Sequence, residues 1–289
     1  MKHIPVLLKE VLEILEPKKG EFFIDCTFGD GGHALEILKR VGNEGKVLGV
    51  DWDKKNITGF KEKLKNLILK FGNYTEIKEM LGGEKADGLL ADLGFSSRQV
   101  EDSGRGFSFK AENGQEPLLM TYSDEMEPVK DILRKISEKE LADIIYQYGG
   151  ERYSRRIAKA IKEISRKEKI ETSGRLAEIV RNVLPKSYER GRIDRATRTF
   201  QALRIYANHE LQNLKKLMEN LPEITKSGAR IAIITFHSLE DKIVKTEFKK
   251  LKDDGIVELL NKKPIIPELA EIKLNPRSRS AKLRAIIKI

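Results

Sequence analysis

The sequence predicts an α/β fold: a mostly parallel β-sheet with helices on both faces, interrupted by an all-helical domain. Short apolar, β-branched runs occur at residues 22–26, 46–50, 67–71, 88–91 and 230–236, and helical patterns separate most of them. Such alternation is typical of parallel sheets that are covered on both faces. Between about residues 104 and 208 there is no convincing strand pattern, and helical patterns fit better.

The N-terminal third begins with an amphipathic helix and contains most of the predicted strands. Residues 1–15 carry acids within their apolar stretch and lack a small-residue cleavage site, so we expect a helix rather than a signal peptide. Further helices are predicted at 34–41 and 54–65. No apolar run reaches about 18 residues, so we expect no transmembrane span. Because Cys26 is the single cysteine, we expect no disulfide within the chain and a reducing, cytoplasmic location.

The middle of the chain carries clear helix boundaries. Residues 137–140, Ser-Glu-Lys-Glu, form a capping box ahead of LADIIYQY, and Gly149-Gly150 closes that helix. Helices are also predicted at 155–164, at 175–184 before Pro185, and at 195–218. The strand pattern then resumes in SGARIAIITF. We therefore expect residues 1–103 and 209–289 to form the α/β domain, with residues 104–208 inserted as a helical domain.

A glycine cluster follows the first predicted strand, in FFIDCTFGDGGHALEIL. Residues 29–34 match GxGxxA, which is close to the dinucleotide-binding fingerprint, so an NAD-dependent oxidoreductase is one hypothesis. Glycine lets the backbone turn sharply and approach a ligand closely, and the helix N-terminus that follows favours polar or anionic groups. These properties do not distinguish NAD from S-adenosylmethionine.

Acidic residues at the predicted strand ends favour S-adenosylmethionine. Asp25 precedes the glycine loop, where it disfavours a pyrophosphate but suits the ammonium and sulfonium groups of S-adenosylmethionine. Asp51 closes KVLGVD, where a carboxylate accepts ribose hydroxyl hydrogen bonds in either cofactor class. Asp92 ends the fourth strand, a position that we expect to face the reacting atom. Ordinary strand-end or loop acids, and a packing or capping role for His33, are the alternatives.

The basic charge of the chain is concentrated in two segments. The net charge is +10, with 35% charged residues. Residues 151–200 contain 15 Lys/Arg against 7 Asp/Glu, and residues 273–289 contain 6 basic residues and no acids. Lys/Glu-balanced helices elsewhere fit a solvated surface of thermophilic type. The two basic segments predict contact with a polyanion such as a nucleic acid.

Eight stretches, in order along nearly the whole chain, resemble one known family. They are HIPVLLKEVL, DCTFGDGGH, DLGFSSRQV, RGFSF, YGGERYSRRIAKAI, RTFQALRIYANHEL, GARIAIITFHSLEDKIVK and NPRSRSAKLRA. The family comprises the bacterial 16S rRNA cytosine-N4 methyltransferases. The resemblance implies a class I methyltransferase fold with a helical insertion, S-adenosylmethionine as cofactor, and a cytosine in the decoding region as target. It also implies a partner, 16S rRNA within the small ribosomal subunit, and we expect the basic segments 151–200 and 273–289 to bind it.

The resemblance also implies a set of cofactor contacts. They are Gly31, Gly32 and His33 in the loop, Asp51 at the ribose, Tyr74 beside the adenine, and Asp92 and Gln99 near the methionine end.

Methyl transfer to an exocyclic amine needs a hydrogen-bond or proton acceptor beside that amine. Asp92 is the first candidate for this catalytic role. His237, which follows the strand at 230–236, could contact substrate or play a structural role at the strand–helix turn. Carbon-5 methylation needs a thiolate nucleophile, and Cys26 lies inside the cofactor motif, where it is poorly placed for ring attack. No His/Asp/Glu cluster has convincing metal-ligand spacing, so we expect no catalytic metal.

One segment departs from the family pattern. After RGFSF the family carries Asp-Gly-Pro-Leu-Asp-Met-Arg-Met, whereas here Leu119 replaces an acid and Thr121 replaces an arginine. This departure leaves open an alternative, a ribosome- or RNA-binding protein that keeps the cofactor fold without turnover.

Overall fold

The computed structural model describes residues 5–94, 104–110, 114–188 and 193–289. The chain divides into two compact units, one of Met1–Gly94 with Leu211–Ile289 and the other of Phe95–Glu210. The domain limits expected from the sequence, 103/104 and 208/209, stay predictions. No helix among the described residues is both long enough and apolar enough to cross a bilayer.

The first unit contains a seven-stranded sheet in the order β3-β2-β1-β4-β5-β7-β6. Its strands are β1 Phe22–Asp25, β2 Lys46–Asp51, β3 Leu67–Phe71, β4 Ala86–Asp92, β5 Thr225–Thr235, β6 Val257–Leu259 and β7 Lys282–Lys288. The first five strands are parallel, and β7 pairs antiparallel with both β5 and β6. The predicted α/β fold class with a mostly parallel sheet is confirmed.

Twelve α-helices lie among the described residues. They are α1 Leu8–Leu15, α2 Gly32–Val41, α3 Lys54–Gly59, α4 Ile77–Leu81, α5 Val129–Lys135, α6 Glu138–Gly149, α7 Ser154–Ser165, α8 Ser173–Val183, α9 Thr197–Ala207, α10 Glu210–Ile224, α11 Ser238–Asp253 and α12 Leu269–Leu274.

Alternate residues of a strand point to opposite faces of the sheet, and helices cover both faces. On one face Phe23 and Leu90 pack with α1 and α2. On the other face Ile24 and Leu89 pack with α4, α10 and α11. Burial of apolar side chains on both faces explains why the strands read as nearly continuous apolar runs.

The second unit has its own apolar core, formed mainly by α5 to α9. The predicted capping box is present, since the Ser137 hydroxyl accepts from Glu140 N–H and the Glu140 carboxylate accepts from Ser137 N–H. Gly150 ends α6 in the left-handed conformation, with φ 62°. A glycine is suited to this position because it lacks the Cβ that makes left-handed backbone costly.

Two of the predicted helices have wrong bounds, and two strands were missed. The helix predicted at 54–65 stops at Gly59, because Phe60 leaves the helix and packs edge-on against Phe28, with ring centroids 5.1 Å apart. The long helix predicted at 195–218 is two helices, α9 and α10, separated at His209, whose φ is 51°. Strands β6 and β7 were missed, because β6 has only three residues and β7 was noticed only for its basic charge.

Candidate active site

Three aspartates end neighbouring strands at one edge of the sheet. Asp25 ends β1, Asp51 ends β2 and Asp92 ends β4, and these strands lie side by side in the order β2-β1-β4. The chain order reverses between β1 and β4. In open α/β sheets the crevice beyond the carboxyl ends of the strands at such a reversal is where ligands bind.

The glycine loop between β1 and α2 is shaped by close packing. Gly31 has φ 78°, and a Cβ added there would lie 2.8 Å from Cζ of Phe28. A Cβ on Gly32 would lie 2.4 Å from Cγ of Pro5. Larger residues therefore do not fit at either position without movement of the loop or its neighbours, and the loop brings bare backbone to the edge where the aspartates lie.

Asp51 ties the glycine loop to β2. Its Oδ2 accepts from Gly29 N–H at 2.7 Å and from Asn56 Nδ2 at 3.0 Å, and its Oδ1 accepts from Asp53 N–H at 2.7 Å. Burial raises the pKa of Asp51, and these hydrogen bonds oppose that rise. A carboxylate offers about four acceptor positions, so one on Oδ1 is left for a ligand.

Asp25 is a buried acid beneath the loop. Asp25 is 1% exposed, and its Oδ1 accepts from Thr27 N–H at 3.1 Å. Burial raises the pKa of Asp25 from 3.8 to about 7, and the nearby charge of Asp51 adds to the rise. The Thr27 hydroxyl accepts from Asp92 N–H at 2.7 Å and lies 3.4 Å from Asp25 Oδ1, so it links the ends of β1 and β4.

Asp92 carries an unsatisfied oxygen. Its Oδ1 is buried and has no hydrogen-bond partner among the described residues, and its Oδ2 lies 3.7 Å from Nδ1 of His33. Burial raises the pKa of Asp92 well above its usual range, and the acidic residues Asp25, Glu240 and Glu271 raise it further. A buried acceptor left unpaired costs free energy, about 1–3 kcal/mol, that a ligand N–H donor or cation would recover.

The other predicted cofactor residues lie at the same edge or outside the described residues. His33 is buried at the start of α2, and its Nε2 lies 3.0 Å from the Val6 carbonyl oxygen. Tyr74 is half-buried in a short 3-10 turn, Tyr74–Glu76, which follows β3. Gln99 lies outside the described residues.

His237 has a structural role at the turn between β5 and α11. It is the N-cap of α11, where its Nδ1 accepts from Glu240 N–H at 3.3 Å and its own N–H donates to Glu240 Oε2 at 3.3 Å. This is the structural alternative foreseen for His237, and its catalytic role stays a prediction. The buried Glu240 was missed, although its position three residues after His237 is the spacing of a capping box.

The buried thiol of Cys26 is not suited to nucleophilic attack. Burial is the main cause that raises its pKa well above the usual range, and the nearby Asp25 charge adds to this. Because the thiolate is the nucleophilic form, the structure keeps this thiol inert.

Comparison with known proteins places the chain among methylases. The profile of the MraW methylase family matches residues 1–289. The chain is 44% identical to the ribosomal RNA small subunit methyltransferase H of Ehrlichia canis (strain Jake), covering 99% of this chain and 100% of that protein. It is also 44% identical to the protein of the same name from Anaplasma marginale (strain St. Maries), covering 100% of both. An rRNA methylase structure from Streptococcus thermophilus matches with 10% identity and a TM-score of 0.43, covering 100% of this chain and 99% of that chain.

Proposed function

Because this chain belongs to the MraW methylase family, we propose that it transfers a methyl group from S-adenosylmethionine to small-subunit ribosomal RNA. The observation that carries the proposal is Asp92 at the carboxyl edge of the sheet, whose buried Oδ1 has no hydrogen-bond partner among the described residues. Buried carboxyl groups at Asp25 and Asp92 fit a cofactor that bears cationic groups and no phosphate. Family membership removes the alternative of an NAD-dependent oxidoreductase.

The proposed cofactor contacts follow the sheet edge. Gly31 and Gly32 present backbone to the cofactor, Asp51 accepts from the ribose through its remaining Oδ1 position, and Tyr74 flanks the adenine. His33 and Asp92 lie near the methionine end, together with Gln99 from outside the described residues. The support is positional, since the loop residues and the aspartates lie at the carboxyl ends of β1, β2 and β4, and Tyr74 lies in the turn that follows the neighbouring strand β3.

The proposed target is the exocyclic N4 of a cytosine in the decoding region of 16S rRNA. When bound, S-adenosylmethionine supplies an electrophilic methyl group. The protein has to hold the cytosine amine in line with that methyl group. It also has to accept the N–H hydrogen bond that the amine otherwise donates to water. Alignment alone can lower the barrier by up to about 7–11 kcal/mol. Asp92 is the proposed acceptor, and this is supported by its Oδ1, which no described residue hydrogen-bonds.

The proposed RNA-binding surface lies on α7. Arg152 just before this helix and Arg155, Arg156 and Lys159 on it are all exposed, and its buried side is formed by Ile157, Ala158 and Ile161. The guanidinium groups of Arg152 and Arg156 lie 5.0 Å and 5.7 Å from the ring centre of Tyr153. Stacking on the ring holds these cations in place, so less side-chain entropy is lost when phosphates bind them.

Other basic residues of the two segments serve the fold instead. Lys162 donates to the carbonyl oxygens of Leu133, Arg134 and Ile136 at 2.7–3.2 Å, and so caps the end of α5. In the C-terminal segment, Lys282 and Arg284 pair with Asp241. A high density of basic residues in the sequence therefore overstates the number of cations that can bind RNA.

The test of the transfer reaction uses labelled S-adenosylmethionine and small ribosomal subunits that lack the modification. Mass spectrometry of the digested nucleosides is expected to find N4-methylcytidine. Asp92→Asn should lower the transfer rate by about 10²–10⁴-fold, the range for loss of a positioned proton acceptor. The matched control is Asp143→Asn, an exposed aspartate on α6. Methylation at another atom would refute the N4 assignment, and an undiminished rate in Asp92→Asn would refute the role of Asp92.

A second candidate is an RNA-binding protein without turnover. It is favoured by Thr121, which stands where the family carries an arginine and is buried, with its carbonyl oxygen and Oγ1 accepting from Arg105 Nη1 at 3.2 and 3.3 Å. Tight binding of subunits with no methyl transfer to subunits or naked rRNA would support this candidate and refute the first.

The RNA-binding surface is tested by the salt dependence of binding. Replacing both Arg155 and Arg156 by Gln should make the negative slope of log K, the RNA association constant, against log salt concentration shallower by about 2, one for each lost phosphate contact. Lys139→Gln removes an exposed cation from α6 and is the control. If the double variant and the control have the wild-type slope, α7 is not the RNA-binding surface.

A further inference from the structure

The start of the described chain lies against the glycine loop. Cγ of Pro5 is so close to Gly32 that an added Cβ would lie 2.4 Å from it. The next residue, Val6, is buried and offers its carbonyl oxygen to Nε2 of His33 at 3.0 Å. Residues 5–7, the N-terminal segment, thus contact two successive residues of the proposed cofactor loop.

The N-terminal segment is held by an acid from the far end of the chain. The Leu7 N–H donates to Oε1 of Glu271, on α12, at 2.9 Å. Leu7 has φ 53° and ψ 34°, a left-handed conformation that is costly for a residue with a Cβ. Leu7 is 1% exposed, so core packing and the Glu271 hydrogen bond together hold a backbone conformation that leucine rarely adopts.

The contact with Val6 decides which nitrogen of His33 carries the proton. A carbonyl oxygen only accepts hydrogen bonds, so Nε2 must be the donor, and a neutral ring then carries its lone pair on Nδ1. Nδ1 is the nitrogen that lies 3.7 Å from Asp92 Oδ2. The orientation and the tautomer of His33 at Asp92 therefore depend on the position of Val6.

We propose that Glu271 is a positioning residue, which anchors the N-terminal segment so that Val6 holds His33 in the Nε2–H tautomer with Nδ1 toward Asp92. This inference deepens the proposed function and rests on it for the cofactor. It assigns to α12, more than 200 residues from the glycine loop in sequence, a part in the geometry of the methyl-donor site.

Glu271 also acts on Asp92 through its charge. Within the part of the chain that the structure describes, the ionisable groups that face Asp92 are His33 from α2, Asp25 from β1, Glu240 from α11 and Glu271 from α12. The three acids disfavour the ionised form of Asp92. Glu271→Gln removes one of these charges but leaves an oxygen that can accept from Leu7, so it separates the electrostatic effect from the anchoring.

The experiment measures His33 directly, in protein without cofactor, by ¹⁵N NMR of the imidazole nitrogens. The chain has four histidines, so comparison with a His33→Gln variant assigns the His33 signals. Wild type and E271Q should show the Nε2–H tautomer, whereas E271A should show a mixture of both tautomers. E271D, whose shorter side chain draws the acceptor away from Leu7, serves in place of E271A if the latter does not fold.

Calorimetric titration with S-adenosylmethionine gives the second readout. E271A is expected to bind about tenfold more weakly. E271Q should keep near wild-type affinity at pH 8. Because it removes one acid that disfavours the ionised form of Asp92, the midpoint of the pH dependence of S-adenosylmethionine affinity should move to lower pH. The control is E268Q, which removes an exposed carboxylate just before α12 and should match wild type in both measurements.

The two failures are distinguishable. If E271A keeps both the wild-type tautomer and the wild-type affinity, the proposal for Glu271 is wrong. If wild type does not bind S-adenosylmethionine, the proposed function fails, while the imidazole spectra still decide whether Glu271 positions His33.

Discussion

Replacing Asp25 by asparagine should make the protein more stable at neutral and alkaline pH. Asp25 is buried beneath the glycine loop, and burial raises its pKa to about 7 in the folded protein, from the ordinary 3.8. The difference is about three pH units, and each unit is worth 1.36 kcal/mol, so the ionised side chain costs up to ~4 kcal/mol of folding free energy. Asparagine is neutral at every pH, and its side-chain oxygen can still accept from Thr27 N–H.

The sign of the effect follows from where the proton is held more tightly. The folded protein binds the Asp25 proton more tightly than the unfolded chain does, so wild-type stability falls as the pH rises from about 4 to about 7. Below this window the acid is protonated in both states and asparagine gives no advantage. The advantage of the variant should be about 2 kcal/mol at pH 5 and reach its full ~4 kcal/mol at pH 8.

The assay is urea unfolding at several pH values, followed by fluorescence of the single tryptophan, Trp52, which directly follows β2. Asp143→Asn on α6 controls for the loss of one acid at the surface. Parallel pH curves for wild type and Asp25→Asn, or a variant that is less stable than wild type at pH 8, would refute the reasoning. Parallel curves would mean that the pKa of Asp25 is the same in the folded and the unfolded protein, and a less stable variant would mean that the folded protein favours the carboxylate over a neutral side chain.

Three further predictions concern the cofactor site and the basic helix α7. Gly31→Ala should destabilise the protein by about 1–3 kcal/mol in urea unfolding and weaken S-adenosylmethionine binding. The alanine would have to adopt a left-handed backbone conformation, and its Cβ would lie 2.8 Å from the Phe28 ring. Unchanged affinity and stability would contradict this. Affinity for S-adenosylmethionine should rise with pH, by up to about tenfold per pH unit, because a cationic ligand favours the ionised form of Asp92, whose pKa is raised in the free protein. Calorimetry at pH 6 to 9 tests this, and Asp92→Asn should reduce the slope of log affinity against pH. Lys162→Gln should lower the free energy of unfolding by about 1–3 kcal/mol through loss of its bonds to three carbonyl oxygens, without changing the salt dependence of RNA binding; a reduced salt slope would instead place Lys162 on the RNA-binding surface.

The sheet could be predicted from the sequence because its signals are local. Each of the first five strands is an apolar run, and Asp51 and Asp92 close their strands as the pattern indicated. The division at His209 had no such signal, since neither glycine nor proline occurs there. Asn208 supplies the reason in three dimensions, because its buried amide donates to the Met120 and Arg204 carbonyl oxygens and its Oδ1 accepts from Tyr122 N–H.

The sequence by itself determined the α/β fold class, the glycine loop with its strand-end acids, and the resemblance that membership of the methylase family confirms. These depend on residue type and spacing along the chain. Only the tertiary structure decided which basic side chains are exposed and which are paired within the fold. Lys162 and Arg156 look alike in the sequence, yet one caps a helix and the other is exposed over a tyrosine ring. Glu271 reaches Leu7, and Val6 reaches His33, across distances in sequence that no local pattern encodes. Burial and pairing are set by contacts between remote segments, so they could be identified only in the folded chain.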